Sequence, residues 1–166
     1  MFFLFGHGSL DGQQLHVDVG AVEGCALLGQ IAHIAGIEAV AVETEEVYLT
    51  KYAQMVADSK KHIHMEKPGG RELADFEELI SIMKKTAKVF HTGYMYRYNP
   101  AVLKIKELVK QGKLGELLSV DAHMGACYTD KTMRLRIADF KGGMTFYLGC
   151  HLIDLVIYFM GFPKEI

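Results

Sequence analysis

From residue 37 onward, the chain alternates between segments with strand patterns and segments with helix patterns. Strands are predicted at residues 37–42, 62–66 and 89–96. Helices are predicted at about 45–59, with Thr44 as N-cap, and at 71–87. Period-two alternation with β-branched and aromatic residues marks the strands, whereas apolar residues three and four positions apart mark the helices. Because a strand, a helix and a second strand in succession close a βαβ unit, this pattern predicts a parallel sheet of the α/β class.

The second of these strands runs into ionisable residues and then into a turn. Glu66 and Lys67 are followed by Pro68 and by two glycines. The residue before a proline is biased toward extended backbone, which holds Lys67 at the carboxyl end of its strand. Ligands of open α/β sheets bind at that end. Lys67 is therefore a candidate functional residue, and a strand end capped by a surface Glu-Lys pair is the alternative.

Composition and charge argue against several classes of partner. The 166 residues are 50% apolar and carry a net charge of -2, which favours a packed core and disfavours binding to nucleic acid. The apolar run at 144–160 contains His151 and Asp154, and a charge there is costly in lipid, so we expect a buried helix and no membrane partner. The odd number of cysteines without CxxC spacing indicates reduced thiols and a cytoplasmic location.

The beginning of the chain has an incomplete phosphate-binding signature. A short strand is predicted at residues 2–5, and Gly6 and Gly8 follow it. A strand that feeds a glycine turn and then a helix, predicted here at 21–34, is typical of dinucleotide-binding units. The third glycine of the usual motif is displaced by Asp11, so the match is partial.

Beyond the third strand, the sequence predicts a helix from Pro100 to about residue 111, a strand at 117–128, an irregular stretch at 129–141 and a long helix at 142–159. Four polar residues of that last helix are spaced four, three and four apart and would form one stripe: Tyr147, His151, Asp154 and Tyr158. A stripe of this kind faces either a functional cavity or hydrogen-bonding partners in the core. Both interpretations of His151 stay open at this point.

A metal centre is a weaker hypothesis. His62 and His64 would share one strand face, and His91 and His123 are further candidate ligands, but their spacing is not that of a zinc site. We expect no metal.

Four motifs, in this order and at this spacing, resemble the Gfo/Idh/MocA family of nicotinamide-dependent sugar and cyclitol oxidoreductases: Glu66-Lys67-Pro68, Tyr96-Arg97-Tyr98-Asn99-Pro100, Lys113-Leu114-Gly115-Glu116, and Gly142-Gly143 leading to Leu148-Gly149-Cys150-His151-Leu152-Ile153-Asp154. The resemblance implies a partial Rossmann-type parallel sheet (βαβαβ) at 1–98, followed by the start of a C-terminal α/β substrate domain at 99–166. The family's Rossmann half is longer than residues 1–98 allow, so a truncated or fragmentary member is expected. A homo-oligomer is also implied.

The resemblance further implies hydride transfer between NAD or NADP and a small sugar or polyol. Lys67 and His151 would act at one site between the two domains, with His151 as the base and Lys67 as the cation on the same oxygen. Tyr147 occupies the position where the family usually has Asp, and it is counted with the catalytic residues. The resemblance assigns cofactor binding to Thr44, Glu66, Lys67, Pro68 and Arg97, and the glycine turn adds Gly6 and Gly8.

Tyr147 is also the main departure, because a tyrosine does not supply the charge of a carboxylate. It leaves two alternatives open. One is a non-catalytic ligand-binding or oligomerisation module on the same scaffold. The other is a relative that uses NAD to cleave a glycoside.

Overall fold

The computed structural model describes residues 2–6, 15–17 and 36–165. The chain forms two compact units, Met1–Gly93 and Tyr94–Ile166. The functional division into domains at residues 98 and 99 stays a prediction. The predicted helix at 21–34, and Gly8 with it, lie outside the described residues.

The first unit is built on one sheet with the strand order β2-β1-β3-β4-β5. Its elements are β1 Phe2–Gly6, β2 Leu15–Val17, β3 Ile37–Val42, α1 Glu46–Asp58, β4 His62–Met65, α2 Leu73–Thr86 and β5 Phe90–Thr92. Strands β3, β4 and β5 pair in parallel, with Ala41 opposite His64 and His64 opposite His91. The predicted βαβαβ arrangement is confirmed.

The core of this unit lies between the parallel strands and the two helices. Alternate residues of β3 and β4 point into it, and apolar residues at helical spacing on α1 and α2 meet them. Its fully buried members include Val40, Val42, Ile63, Met65, Leu49, Val56 and Leu79. Burial of one such side chain contributes about 1.5–3 kcal/mol, so the patterns that predicted these elements also specify their packing.

Two details at the start of the unit differ from the prediction. Strand β1 runs antiparallel to β3, and Gly6 pairs with Ile37 at the amino-terminal end of β3. Gly6 is therefore at the opposite edge of the sheet from the carboxyl end of β4. Thr44 is not the N-cap of α1, because the helix begins one residue later with Glu45 as N-cap and without a side-chain cap.

The second unit contains short helices. They are a 3₁₀ helix at Met95–Tyr98, α3 Pro100–Lys110, α4 Lys131–Ala138, α5 Gly143–Tyr147 and α6 Gly149–Met160. The third predicted strand ends at Thr92, so its last residues belong to the 3₁₀ helix. Helix α4 was missed in a stretch predicted to be irregular, although Asp130 caps it by accepting from the backbone N–H groups of Thr132 and Met133 at 3.2 and 3.0 Å.

Two further predictions in this unit are wrong. Residues 117–128 alternate like a strand but are not in one, because no described strand lies beside them to supply backbone hydrogen bonds. The single helix predicted at 142–159 is two helices with a break at Leu148. Among the helices that the structure describes, none has the length and apolar character needed to cross a bilayer.

Candidate functional site

The turn after β4 extends the sheet by one residue and then leaves it. The N–H of Glu66 donates to the carbonyl of Val42 at 3.0 Å, and the N–H of Gly93 donates to the carbonyl of Met65 at 2.8 Å. The peptide bond between Lys67 and Pro68 is cis. The turn thus places Glu66, Lys67 and Pro68 together at the carboxyl edge of the parallel strands, as the sequence predicts.

Glu66 is held on both sides. Its Oε2 accepts a hydrogen bond from the N–H of Lys67 at 3.1 Å. A Cβ added at Gly93 would lie 2.6 Å from its Oε1, which is closer than real Cβ contacts. Gly93 therefore leaves the space that the Glu66 carboxylate occupies, and that carboxylate in turn fixes the backbone of Lys67.

A second close approach closes the turn. Gly70 has φ +94°, and a Cβ there would overlap Oγ1 of Thr50. The buried Thr50 hydroxyl donates to the carbonyl of Gly69 at 3.2 Å. The sequence analysis missed Thr50, since a threonine inside an amphipathic helix carries no local signal of this contact.

The remaining predicted cofactor residues of this unit are distributed differently. Thr44 lies two residues beyond the carboxyl end of β3, at the same edge as Lys67. Gly6 lies at the other edge, so the structure does not bring it to Lys67. Gly8 is outside the described residues.

The histidines of the sheet bond to neighbouring groups. The Nδ1 atoms of His64 and His91 are 2.7 Å apart, so one of them donates and the other accepts. Nδ1 of His62 accepts from the N–H of Val89 at 3.0 Å. In the described part of the chain, no three His, Cys, Asp or Glu side chains form a group that could hold a metal ion.

In the second unit, His151 is buried on α6 and contacts two aromatic rings. Its imidazole is perpendicular to the ring of Tyr96 at 5.0 Å and to the ring of Tyr94 at 6.0 Å, centre to centre. Both are edge-to-face arrangements, which aromatic pairs prefer at 4.5–7 Å. The two tyrosines come from the segment that opens the unit.

The same segment binds Asp154, one turn further along α6. Nε and Nη2 of Arg97 lie 2.6 to 3.0 Å from the two oxygens of Asp154. The hydrogen bond with Asp154 is the main cause that raises the pKa of Arg97 above its usual value. Arg97 also lies over the ring of Tyr158 at 5.1 Å, and Nζ of Lys106 lies 3.3 Å from the centre of that ring. Arg97 thereby fixes α6, and its part in cofactor binding stays a prediction.

Tyr147 is not part of a continuous stripe with His151. It ends α5, whereas His151 is on α6 beyond the break at Leu148. The ring of Tyr147 lies 5.6 Å from that of Phe140, and the Tyr147 carbonyl accepts a weak hydrogen bond from the Cys150 thiol at 3.6 Å. Its catalytic role stays a prediction.

A cavity of about 400 Å³ borders α6, and Tyr94, Thr145, Cys150 and Asp154 are among its lining residues. Burial is the main cause that raises the pKa of Tyr94, and the charges of Cys150 and Asp154 act in the same direction. The Tyr94 hydroxyl is therefore a protonated donor at neutral pH.

Comparison with known proteins places the chain in a family. Residues 102–166 match the GFO/IDH/MocA C-terminal domain. The chain is 30% identical over 66% of its length to myo-inositol 2-dehydrogenase of Thermotoga maritima, of which it covers 32%. It is 24% identical over 84% of its length to scyllo-inositol 2-dehydrogenase (NADP(+)) IolW of Bacillus subtilis, of which it covers 39%.

Solved structures agree on the fold. The crystal structure of apo scyllo-inositol dehydrogenase from Lactobacillus casei matches with a TM-score of 0.61 and 24% identity, over 80% of this chain and 38% of that one. The chain thus spans less than half the length of these relatives. With four motifs in the family's order, a matching C-terminal domain and the shared fold, this chain belongs to the Gfo/Idh/MocA family.

Proposed function

We propose that this chain is part of an NAD(P)-dependent oxidoreductase that oxidises a ring alcohol of a cyclitol, sugar or related polyol. The observation that carries the proposal is the turn at Glu66, Lys67 and Pro68, which lies at the carboxyl edge of a parallel sheet. The printed activities of two relatives, a myo-inositol and a scyllo-inositol 2-dehydrogenase, support the substrate class. A cytoplasmic location and a homo-oligomer stay predictions.

The residues at this edge fit the nicotinamide end of NAD or NADP. Gly93 has no side chain to block the edge, and the carboxylate of Glu66 lies against it. Thr44 ends the neighbouring strand at the same edge. Gly6 lies at the other edge, so it is not placed to bind the pyrophosphate of the same nucleotide. When bound, the nicotinamide supplies an acceptor for the hydride that leaves the substrate carbon.

Lys67 and His151 would have different roles toward the substrate hydroxyl. The Lys67 ammonium would donate a hydrogen bond to the oxygen and stabilise the negative charge that develops on it. His151 would take the hydroxyl proton, because an imidazole exchanges a proton near neutral pH. The carbon-oxygen bond then becomes a double bond as the hydride leaves the carbon.

The test begins with cofactor binding. We expect NAD or NADP to raise the thermal unfolding midpoint of the chain. We expect turnover of inositol isomers to fall by about 100-fold or more in Lys67→Met. Lys51→Met is the matched control, since Lys51 is an exposed lysine of the same unit. Absence of stabilisation by both nucleotides would refute the proposal. Unchanged turnover in Lys67→Met would remove Lys67 from the mechanism.

A further inference from the structure

We infer that a cavity beside α4 binds the carboxylate of a small organic acid with an apolar ring, and that the guanidinium of Arg134 is the group that recognises it. The cavity has a volume of about 520 Å³, and its described lining residues all belong to the second unit. None of the residues given a role in hydride transfer is among them. The site is therefore independent of the proposed function and can be tested without a nucleotide.

The first line of support is the guanidinium of Arg134, which lines the cavity. In the described part of the chain it forms no ion pair and no side-chain hydrogen bond. The other three arginines of the chain are engaged, since Arg97 binds Asp154. Arg71 and Arg136 each interact with another group. A guanidinium has five N–H donors and stays charged in proteins, so Arg134 presents an unused cationic fork to the cavity.

The second line of support is that the acids close to Arg134 in the sequence are already occupied. Asp130 lies four residues before it, a spacing at which ion pairs form on a helix. The two oxygens of Asp130 instead accept hydrogen bonds from the N–H groups at the start of α4, at 3.2 and 3.0 Å. Asp139 interacts with another group. Residues 130–141 contain four lysines and arginines and only these two acids, so the surroundings of Arg134 favour an anion.

The third line of support is the character of the cavity wall, which is mostly apolar. Ile137, one turn after Arg134 on α4, is 5% exposed, and Met144 belongs to α5. Tyr128 adds a phenol O–H donor. Arg134 alone is charged among the described lining residues, so the wall matches one negative charge and fits a carboxylate better than a phosphate dianion. The apolar part of the wall accommodates the ring that carries the carboxylate.

The exposure of Arg134 sets the expected strength of this recognition. Its side chain is exposed, so water competes with a ligand for the guanidinium. A planar carboxylate nevertheless accepts two parallel N–H hydrogen bonds from one guanidinium, and such charge-assisted bonds are stronger than neutral ones. We therefore expect a carboxylate to bind about 10-fold more tightly than a neutral group of the same shape.

The experiment titrates the full chain with benzoate and, separately, with benzamide, which has the same ring and a planar group of similar shape but no charge. Both titrations use neutral pH and the same salt concentration, because salt screens the attraction. Nuclear magnetic resonance follows the backbone amide signals and the Nε–H of Arg134, which is assigned through its bonds from the backbone. Benzoate should shift the Arg134 Nε–H and the amide signals of the lining residues to saturation. Benzamide should bind about 10-fold more weakly.

Two variants that each remove one positive charge from α4 identify the recognising group. Arg134→Met keeps an unbranched side chain that suits a helix, and it should bind benzoate no more tightly than benzamide. Lys131→Met is the matched control, because Lys131 is an exposed cation of the same helix and is not among the described lining residues. The affinity of Lys131→Met for benzoate should stay within about twofold of that of the wild type.

Equal affinities of the wild type for benzoate and benzamide would overturn the inference, because the apolar wall alone would then hold the ring. An equal loss of benzoate affinity in Arg134→Met and Lys131→Met would also overturn it, as would signals that shift only outside the cavity or never saturate. If Arg134→Met does not fold, the Nε–H shift and the ratio of the two affinities in the wild type decide. Failure of both nucleotides to stabilise the chain would refute the proposed function and leave this site intact.

Discussion

The pair formed by Arg97 and Asp154 gives the most direct test of how α6 is held. The carboxylate of Asp154 is 9% exposed, and Arg97, whose side chain is 40% exposed, binds it bidentately. Arg97→Ala leaves a buried carboxylate without its counter-charge. Removal of one partner from a fully buried pair costs about 3–5 kcal/mol. Because water reaches one side of Arg97, we expect Arg97→Ala to lower the free energy of unfolding of the second unit by about 2–3 kcal/mol.

A second variant separates the buried charge from other effects. In Arg97→Ala/Asp154→Asn the carboxylate becomes a neutral amide of the same shape, so part of the loss, about 1–2 kcal/mol, should be recovered. The contact of Arg97 with Tyr158 is absent from both variants and so cancels between them.

The assay is urea unfolding followed by far-ultraviolet circular dichroism, with the slope m compared between variants. Lys104→Ala is the matched control, because Lys104 and Glu107 form an exposed pair at 2.8 Å with side chains 62% and 50% exposed. The decrease in unfolding free energy in Lys104→Ala should be close to the error of the measurement. A loss in Arg97→Ala no larger than that of Lys104→Ala, or no recovery in the double variant, would refute this account of the buried charge.

Three further predictions concern other positions. Gly70→Ala should lower the free energy of unfolding of the first unit by about 2–4 kcal/mol, because φ is +94° and the new Cβ would overlap Thr50. Gly112→Ala is the control: its φ is +69° and the space around it is open, so only the backbone strain of the positive φ should appear. Equal losses of unfolding free energy for the two variants in urea would contradict the clash with Thr50. Asn99→Ala should lower the free energy of unfolding by about 1 kcal/mol in the same assay, because the Oδ1 of Asn99 caps α3 by accepting from a backbone N–H at 2.9 Å. An unchanged free energy of unfolding would rule out a stabilising cap. Tyr94 has a raised pKa, so its stabilising contribution is complete below pH about 10 and is lost as pH rises through the folded-state pKa. As pH rises into the alkaline range, the thermal unfolding midpoint of Tyr94→Phe should therefore fall less than that of the wild type. If the two midpoints fall in parallel with pH, the pKa of Tyr94 is not raised in the folded state.

The parallel part of the fold could be predicted from the sequence because its strands and helices are specified by residues close together in the chain. Strand β3 occupies residues 37–42 as predicted, and α1 and α2 fall within their predicted ranges. In these segments the period of the apolar residues matches the element that buries them. The turn at Glu66 to Gly70 was found for the same reason, since proline and glycine act on the backbone of their neighbours.

The errors arise where structure depends on a distant partner. The alternation at 117–128 satisfies one requirement of a strand, but a strand also needs the hydrogen bonds of a neighbour. The direction of β1 depends on which edge of β3 it joins, and four apolar residues in succession carry no information about that. The break at Leu148 divided a stripe that helical spacing alone made continuous.

The sequence by itself determined the βαβαβ order, the position of Lys67 at the end of β4 and the family resemblance, because each depends on residues a few positions apart. Only the tertiary structure showed the contacts that define the surroundings of His151 and Asp154. The ion pair of Arg97 with Asp154 joins residues 57 positions apart, and the two tyrosines reach His151 over a similar distance. Periodicity along the chain reports which face of an element is apolar, whereas the identity of the side chains that meet that face is decided by packing in three dimensions.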